Sequence, residues 1–288
     1  MTNPEKQVAI VTDSAAALSP NQISELGVFV PRMEITIDDK TFVDGEDPEL
    51  DDFYSMLERS ESIPTTSAPV PGEYLTQYEK AGLDADEILC VSLSARLSAA
   101  FDAATVAAQH YMKENPSKRV EVFDTETAAS SQALITTAAV RLAASGHALD
   151  EVVNQAQKVA GKVRLLAILD TLKFIHRSGR VPKIAFWATA ALNIKPVMEY
   201  STGNIGAIAR PRTTKRAMQK MLDEIGKSIG NRKAHINVMH AGASDRAHEV
   251  NDWLSARFDC EELFTTSFHP FMGAHTGPGL VGASWWTE

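Results

Sequence analysis

Four short segments concentrate the side chains able to hold or transfer a group: Thr12-Asp13-Ser14, Thr65-Thr66-Ser67-Ala68-Pro69, the run from Ser92 through Ser94 to Ser98, and His275-Thr276-Gly277-Pro278-Gly279. Hydroxyls and backbone amides at helix N-termini, joined by a histidine, form a neutral-to-positive cradle suited to a carboxylate or a phosphate. Each segment alone has a plainer reading, with Ser94 or Ser98 capping a helix and Thr65 to Ser67 serving as turn residues ahead of Pro69. A covalent mechanism would need a base beside the nucleophile, and none is adjacent in sequence. A hydrolase or phosphotransferase site made of Asp13, Ser14 and His275 stands as the alternative, dependent on the fold to gather its parts.

Other chemistries are set aside by spacing. Gly277-Pro278-Gly279-Leu280-Val281-Gly282 fits GxGxxG but lies so near the carboxyl end that neither the helix nor the ribose-binding acid of a dinucleotide site can follow. No GxxxxGK[ST], HExxH or GxSxG occurs. The 8 histidines show no close metal-ligand pairing, and the 2 cysteines, Cys90 and Cys260, have no CxxC partner. Neither a metal nor a cofactor is expected, and the thiols fit a reducing compartment.

The elements that must position these loops alternate. Apolar runs at Val8 to Thr12, Val28 to Ile37, Ile88 to Ser92 and Arg119 to Phe123 read as strands, each followed by polar residues and then by helix-forming sequence. Ser19-Pro20 with Gln22 forms a capping-box start, and Gly27 a stop. The stretch from Asp38 to Asp52 reads as a loop entering a helix near Pro48, and the proline-punctuated residues 62–72 as irregular. The pattern predicts a doubly wound, mostly parallel sheet with its site outside the carboxyl ends of the strands. After a helix over Leu149 to Ala160 the grammar changes to α+β. Helices are expected over Thr171 to Arg177, Ile184 to Leu192, 213–229 and 245–257, with two strands around Thr202-Gly203-Asn204, a strand over 235–240 and two terminal strands. Two domains result, an α/β domain over 1–161 and a smaller α+β domain over 162–288.

The chain has 288 residues, 44% of them hydrophobic, with 28 Lys and Arg against 37 Asp and Glu for a net charge of −9. That balance argues against a surface wrapped in nucleic acid. The charge is segregated: residues 1–157 carry −16, residues 158–233 carry +12 and residues 234–288 carry −5. The amino terminus has no basic-then-apolar signal pattern, and no 18-residue window is free of charged or strongly polar residues, so a cytoplasmic protein is expected.

Taken together, the motifs resemble those of the DegV-like fatty-acid-binding proteins, which include the fatty-acid-binding subunits of bacterial fatty acid kinase. The resemblance runs through Thr12-Asp13-Ser14, Thr66-Ser67-Ala68-Pro69 where the family has TSQP, Ser98-Ala99-Ala100 where it has SGT, Ser178-Gly179-Arg180 where it has GGR, Lys195-Pro196-Val197 and the His275 motif. It implies a non-catalytic carrier in which two domains enclose one long acyl chain, such as palmitate or oleate, in a tunnel. By position, Thr66 with Ser67 or Thr65 beside it, and Ser98, would hold the carboxylate, with His275 and Thr276 next to it. The resemblance further implies that Arg180, and less directly Arg212, form a docking face for a separate kinase, and it allows transient membrane contact during lipid transport. Ala68, Ala99, Ala100 and Ser178 depart from the family pattern and leave room for a different acid or head-group geometry. Phe174, Ile175, Ile184, Phe186 and Trp187 are candidate tunnel residues, although a helix-spaced apolar set is more often plain core. A regulatory interaction module is the third reading.

Overall fold

The computed structural model describes residues 8–45, 50–181, 194–201 and 204–288. The expected helix over 184–192 lies outside these, as do Lys183, Ile184, Phe186, Trp187 and the 202–203 turn.

Strand β1 (Val8–Thr12) pairs in parallel with β5 (Glu87–Ser92), and β5 with β6 (Arg119–Asp124), in the order β1-β5-β6. Every residue of β1 is buried, because both faces of this sheet are covered. Ala9, Val11, Ile88 and Cys90 pack against α3 (Pro71–Ala81) and α4 (Ala100–Glu114). Val8, Ile10, Leu89 and Val91 meet α5 (Ala129–Ala144) and α6 (Leu149–Ala160) on the opposite face. The doubly wound reading holds. The helix α1 (Pro20–Leu26) carries the expected Ser19/Gln22 capping box and ends at Gly27, whose φ is 61°.

The segment after α1 differs from expectation. Val28 to Ile37 is not one strand: Phe29 makes only a single parallel bridge to Val11, Pro31 interrupts, and β2 (Glu34–Ile37) leaves for a separate antiparallel sheet. Its partner β3 (Lys40–Val43) occupies part of the expected loop. The turn between them, Asp38-Asp39, has φ of 48° and 60°, the two positive values that a tight type I′ hairpin requires and that short Asp side chains tolerate. After α2 (Leu50–Arg59), Thr65–Ser67 form β4 on the other edge of β2, within the segment read as irregular. Flanking prolines restrict such a strand to a short edge position without forbidding it.

The remaining strands build a six-stranded mixed sheet in the order β11-β10-β12-β7-β8-β9. These are β7 (Arg164–Ile168), β8 (Val197–Ser201), β9 (Asn204–Ala209), β10 (Ala234–His240), β11 (Cys260–Ser267) and β12 (Val281–Thr287). The β10/β11 pairing is parallel and the other pairings antiparallel. Helices α8 (Thr214–Ile229) and α9 (Ser244–Ser255) cover one face, where Ala217, Met221, Ile225 and Leu254 meet Leu166, Ile168 and Val197. The other face presents Leu165, Ala167, Met198, Tyr200 and Met239 to a core shared with β2, α2, the short helix α7 (Lys173–Arg177) and α10 (Pro270–Thr276). Among the described residues no helix is long and apolar enough to cross a membrane.

Candidate functional site

A cavity of about 830 Å³, counted to its open mouth, lies on that second face. The strand alternation that turns Leu166 and Ile168 to α8 turns Leu165 and Ala167 inward to the cavity wall. Leu93, Leu97, Ala128 and Ala129 close it from the parallel-sheet side, and Phe268, Phe271, Met272 and Leu280 from the side of α10. Polar side chains are few: Arg180, His275 and Thr276 line it beside α7 and on α10, and Glu199, paired with Arg164, and Tyr200 line it from β8.

The pleat of the small sheet selects which hydroxyl of Thr65-Thr66-Ser67 joins this corner. Thr66 stands opposite Ile35, which is fully buried, whereas Ser67 and Thr65 stand opposite Glu34 and Thr36 and are exposed. Thr66 Oγ1 then meets His275 Nε2 at 3.1 Å, across 209 residues of sequence. Ser67 is turned to the opposite face, away from this contact.

His275 is half-buried and its ring meets Phe271 edge-on, with centroids 5.3 Å apart. Desolvation, with the charge of Arg180 adding to it, lowers its pKa to about 4, so at neutral pH the imidazole is uncharged and one ring nitrogen accepts. The Thr276 hydroxyl donates back to Met272 O at 3.1 Å, so its proton is occupied within the helix. Ser98 Oγ accepts from Ala100 N at 3.2 Å at the start of α4, and among the described residues its proton has no acceptor. Ser98 follows Leu97 of the cavity wall.

Arg180 leaves a turn held by Ser178, whose hydroxyl donates to Ile175 O at 2.8 Å, with Gly179 at φ 69°. Its guanidinium donates to Ser178 O at 2.6 Å, and the exposed side chain stands at the cavity mouth. Arg212 is also exposed, but it precedes α8, which packs on the far face of the sheet. The two arginines are therefore carried by segments on opposite faces of one sheet. Beside the ends of β7, β8 and β9, Lys195 N donates to Pro211 O at 2.7 Å and Lys195 Nζ to Asp170 O at 2.8 Å. Glycine in the terminal motif has a steric reason. Gly277 has φ 75°, and a Cβ there would run into the Phe174 ring.

Asp13 and Ser14 do not join His275. Asp13 is fully enclosed and accepts from Leu93 N at 2.8 Å, Gln132 Nε2 at 3.1 Å and Ala15 N at 3.2 Å. Ser14 Oγ accepts from Met33 N at 3.2 Å. Among the described residues no hydrogen bond links either to His275, and no group of three or more acidic, His or Cys side chains is arranged to hold a metal.

With this geometry in view, comparison with known proteins decides the family: a family model described as "Uncharacterised protein, DegV family" matches residues 7–288. The chain belongs to the DegV family. A DegV domain-containing protein of Streptomyces coelicolor is 31% identical over 279 residues, covering 96% of this chain and 97% of that one. A DegV family protein from Thermus thermophilus, solved for its fatty acid binding, superimposes with a TM-score of 0.90 at 24% identity, over 98% of this chain and all of that one. A fatty acid binding DegV family protein from Streptococcus agalactiae gives 0.84 at 25% identity, over 98% and 99%. For this DegV protein, sequence motifs pointed to the polar corner, but the cavity wall contributed by Met198, Tyr200 and Met239 carries no motif. Its only sequence signal is the two-residue alternation of β8 and β10.

Proposed function

We propose that this protein binds one long-chain fatty acid in the cavity and holds its carboxylate at the Thr66–His275 corner, acting as a carrier that presents the head group to a separate acyl kinase. The observation that carries the reading is a nearly wholly apolar cavity with His275, Thr276 and Arg180 among its few polar lining groups. Burying an acyl chain yields about 0.8 kcal/mol per methylene, on the order of 10 kcal/mol gross for a long chain. A carboxylate follows the chain into the protein only where donors replace its water. Because Thr66 and His275 hydrogen-bond each other, the pair keeps one proton for the ligand, the imidazole Nδ1–H when Thr66 donates or the Thr66 hydroxyl when Nε2 does; Ser98 supplies a second donor from the start of α4, and Arg180 supplies positive charge at the mouth. Ser67 and Thr276 are the weaker members of the set, one by direction and the other by its bond to Met272. Solved DegV relatives described as fatty acid binding support the ligand class. Arg180 is the proposed docking residue for the kinase, with Arg212 a more distant candidate on the segment leading to α8, and residues 1–161 and 162–288 are the proposed domains. The setting is the cytoplasm, where ATP serves the kinase.

The test is a titration of delipidated protein with palmitate or oleate and with the corresponding methyl ester. The acid is expected to bind at least about tenfold more tightly than the ester, whose head group lacks the charge that strengthens such hydrogen bonds. Uptake of neither acid removes the reading.

A further inference from the structure

The buried carboxyl of Asp44 and the Thr12-Asp13-Ser14 turn have no part in the site as described, yet they lie behind it. Asp44 is fully buried at the end of β3, and its Oδ1 accepts from Phe271 N at 2.9 Å, a bond spanning 227 residues. Phe271 is in the first turn of α10, and His275 is four residues on, hence on the same helix face. Asp44 is itself fixed on three sides. Its N–H donates to Met33 O at 2.8 Å, its carbonyl accepts from Arg32 Nη1 at 2.8 Å, and the Ser14 hydroxyl lies beside its carboxyl. Tyr54 of α2 adds a second hold on the same helix. Its Oη donates to Phe268 O at 3.2 Å, and a Cβ on Gly273 would come within 2.8 Å of that oxygen. Thr66 belongs to β4 of the sheet whose β3 ends at Asp44. One small sheet thus holds both halves of the Thr66–His275 contact, the first directly and the second through Asp44.

We propose that Asp44 is a positioning residue of the head-group corner, which sets the rotation of α10 so that His275 faces Thr66. The neighbouring turn extends the linkage to the opposite wall of the cavity. Asp13 fixes Leu93 N, and Leu93 and Leu97 line the cavity from the parallel-sheet side. The Thr-Asp-Ser motif therefore acts as a buried tie between two walls and does not act on substrate. Among the described residues the second carboxyl oxygen, Oδ2, has no hydrogen-bond partner and lies 3.9 Å from His269 Nδ1, so an asparagine amide fits there while its oxygen still accepts from Phe271 N.

This inference rests on the fatty-acid reading for its affinity readout but not for its structural one. Asp44→Ala should weaken palmitate binding about tenfold, in line with the loss of a helix-end acceptor, and should move the His275 imidazole resonances in the free protein. Asp44→Asn should restore both. Tyr78→Phe, which loses a buried bond to Ala104 O far from the cavity, serves as the control for general destabilisation and should leave both unchanged. The proposal is overturned if Asp44→Ala leaves the His275 resonances in place, or if Asp44→Asn is as defective as Asp44→Ala. Should Asp44→Ala fail to fold, Asp44→Leu, which fills the same space without an acceptor for Phe271 N, decides: shifted His275 resonances support the proposal and unshifted ones overturn it. If the wild type takes up no fatty acid, the carrier reading fails and the resonances alone decide the positioning role.

Discussion

At the scale of single residues, Thr66 and His275 carry the head-group chemistry, and each has its own test. Thr66→Val keeps the shape and removes the donor, so fatty-acid affinity should fall about tenfold, the worth of a hydrogen bond to a charged group, while Thr66→Ser keeps most of it. Equal affinity for Val and Ser variants in the same titration would place the carboxylate elsewhere. Arg180→Ala removes a cation that holds His275 down, so the imidazole pKa should move up from about 4, read by NMR titration. The buried acids and imidazoles also oppose each other in stability. Burial raises Asp13 and Asp44 from 3.8 to about 6. The folded chain then holds their protons more tightly than the unfolded chain, and each reduces stability as pH rises across that interval. Desolvation lowers His269 and His275 from 6.5 to about 4, so the unfolded chain binds the extra protons and each adds stability as pH rises from about 4 to 6.5. The two effects overlap and offset. Asp13→Asn removes one of the declining contributions, so its stability in urea should climb more steeply with pH over this range than the wild type's. A slope equal to or shallower than the wild type's would contradict the assignment.

At the scale of elements, the site depends on short pieces that hold longer ones. Gly277 ends α10 at a positive φ with its Cα against Phe174 of α7. Gly277→Ala should therefore destabilise the protein by more than about 1 kcal/mol and loosen the α7–α10 contact, visible as a lowered unfolding midpoint. An unchanged midpoint would show that α7 yields freely. Ser98→Ala removes both the acceptor for Ala100 N and the hydroxyl proton. A cap alone would cost about 1 kcal/mol of stability and leave binding intact, so weakened palmitate retention distinguishes the ligand role. The elements legible in the sequence were those with strong local signals: the uniformly apolar β1, the Ser19–Gln22 capping box, and α6, whose observed span Leu149–Ala160 matches the expected one. The β2–β3–β4 sheet was not legible. Its strands are three or four residues long, its Asp38-Asp39 hairpin has the composition of a loop, and prolines surround β4. It is the sheet that brings Thr66 to His275.

At the scale of the whole molecule, a parallel sheet and a mixed sheet are each covered on both faces, and the cavity lies between the second face of the mixed sheet and the elements packed over it. The alternation of strands and helices made the first half of this architecture readable. The second half follows from side-chain alternation in β7 and β8, which yields a wall only once the sheet order is known. The motif residues were legible because they are polar at element ends, yet their meeting was not, since it joins positions 209 residues apart. The +12 charge of residues 158–233 also takes on a different meaning in three dimensions. Among the described residues the sheet divides it between Arg180 at the cavity mouth and the α8 side beyond. The central claim, a single acyl chain in the cavity, is tested most directly by denaturing extraction of protein produced in bacteria, followed by mass spectrometry of the released lipid. The account predicts close to one long-chain fatty acid per polypeptide. Recovery of none, together with no uptake of added palmitate or oleate, would contradict it.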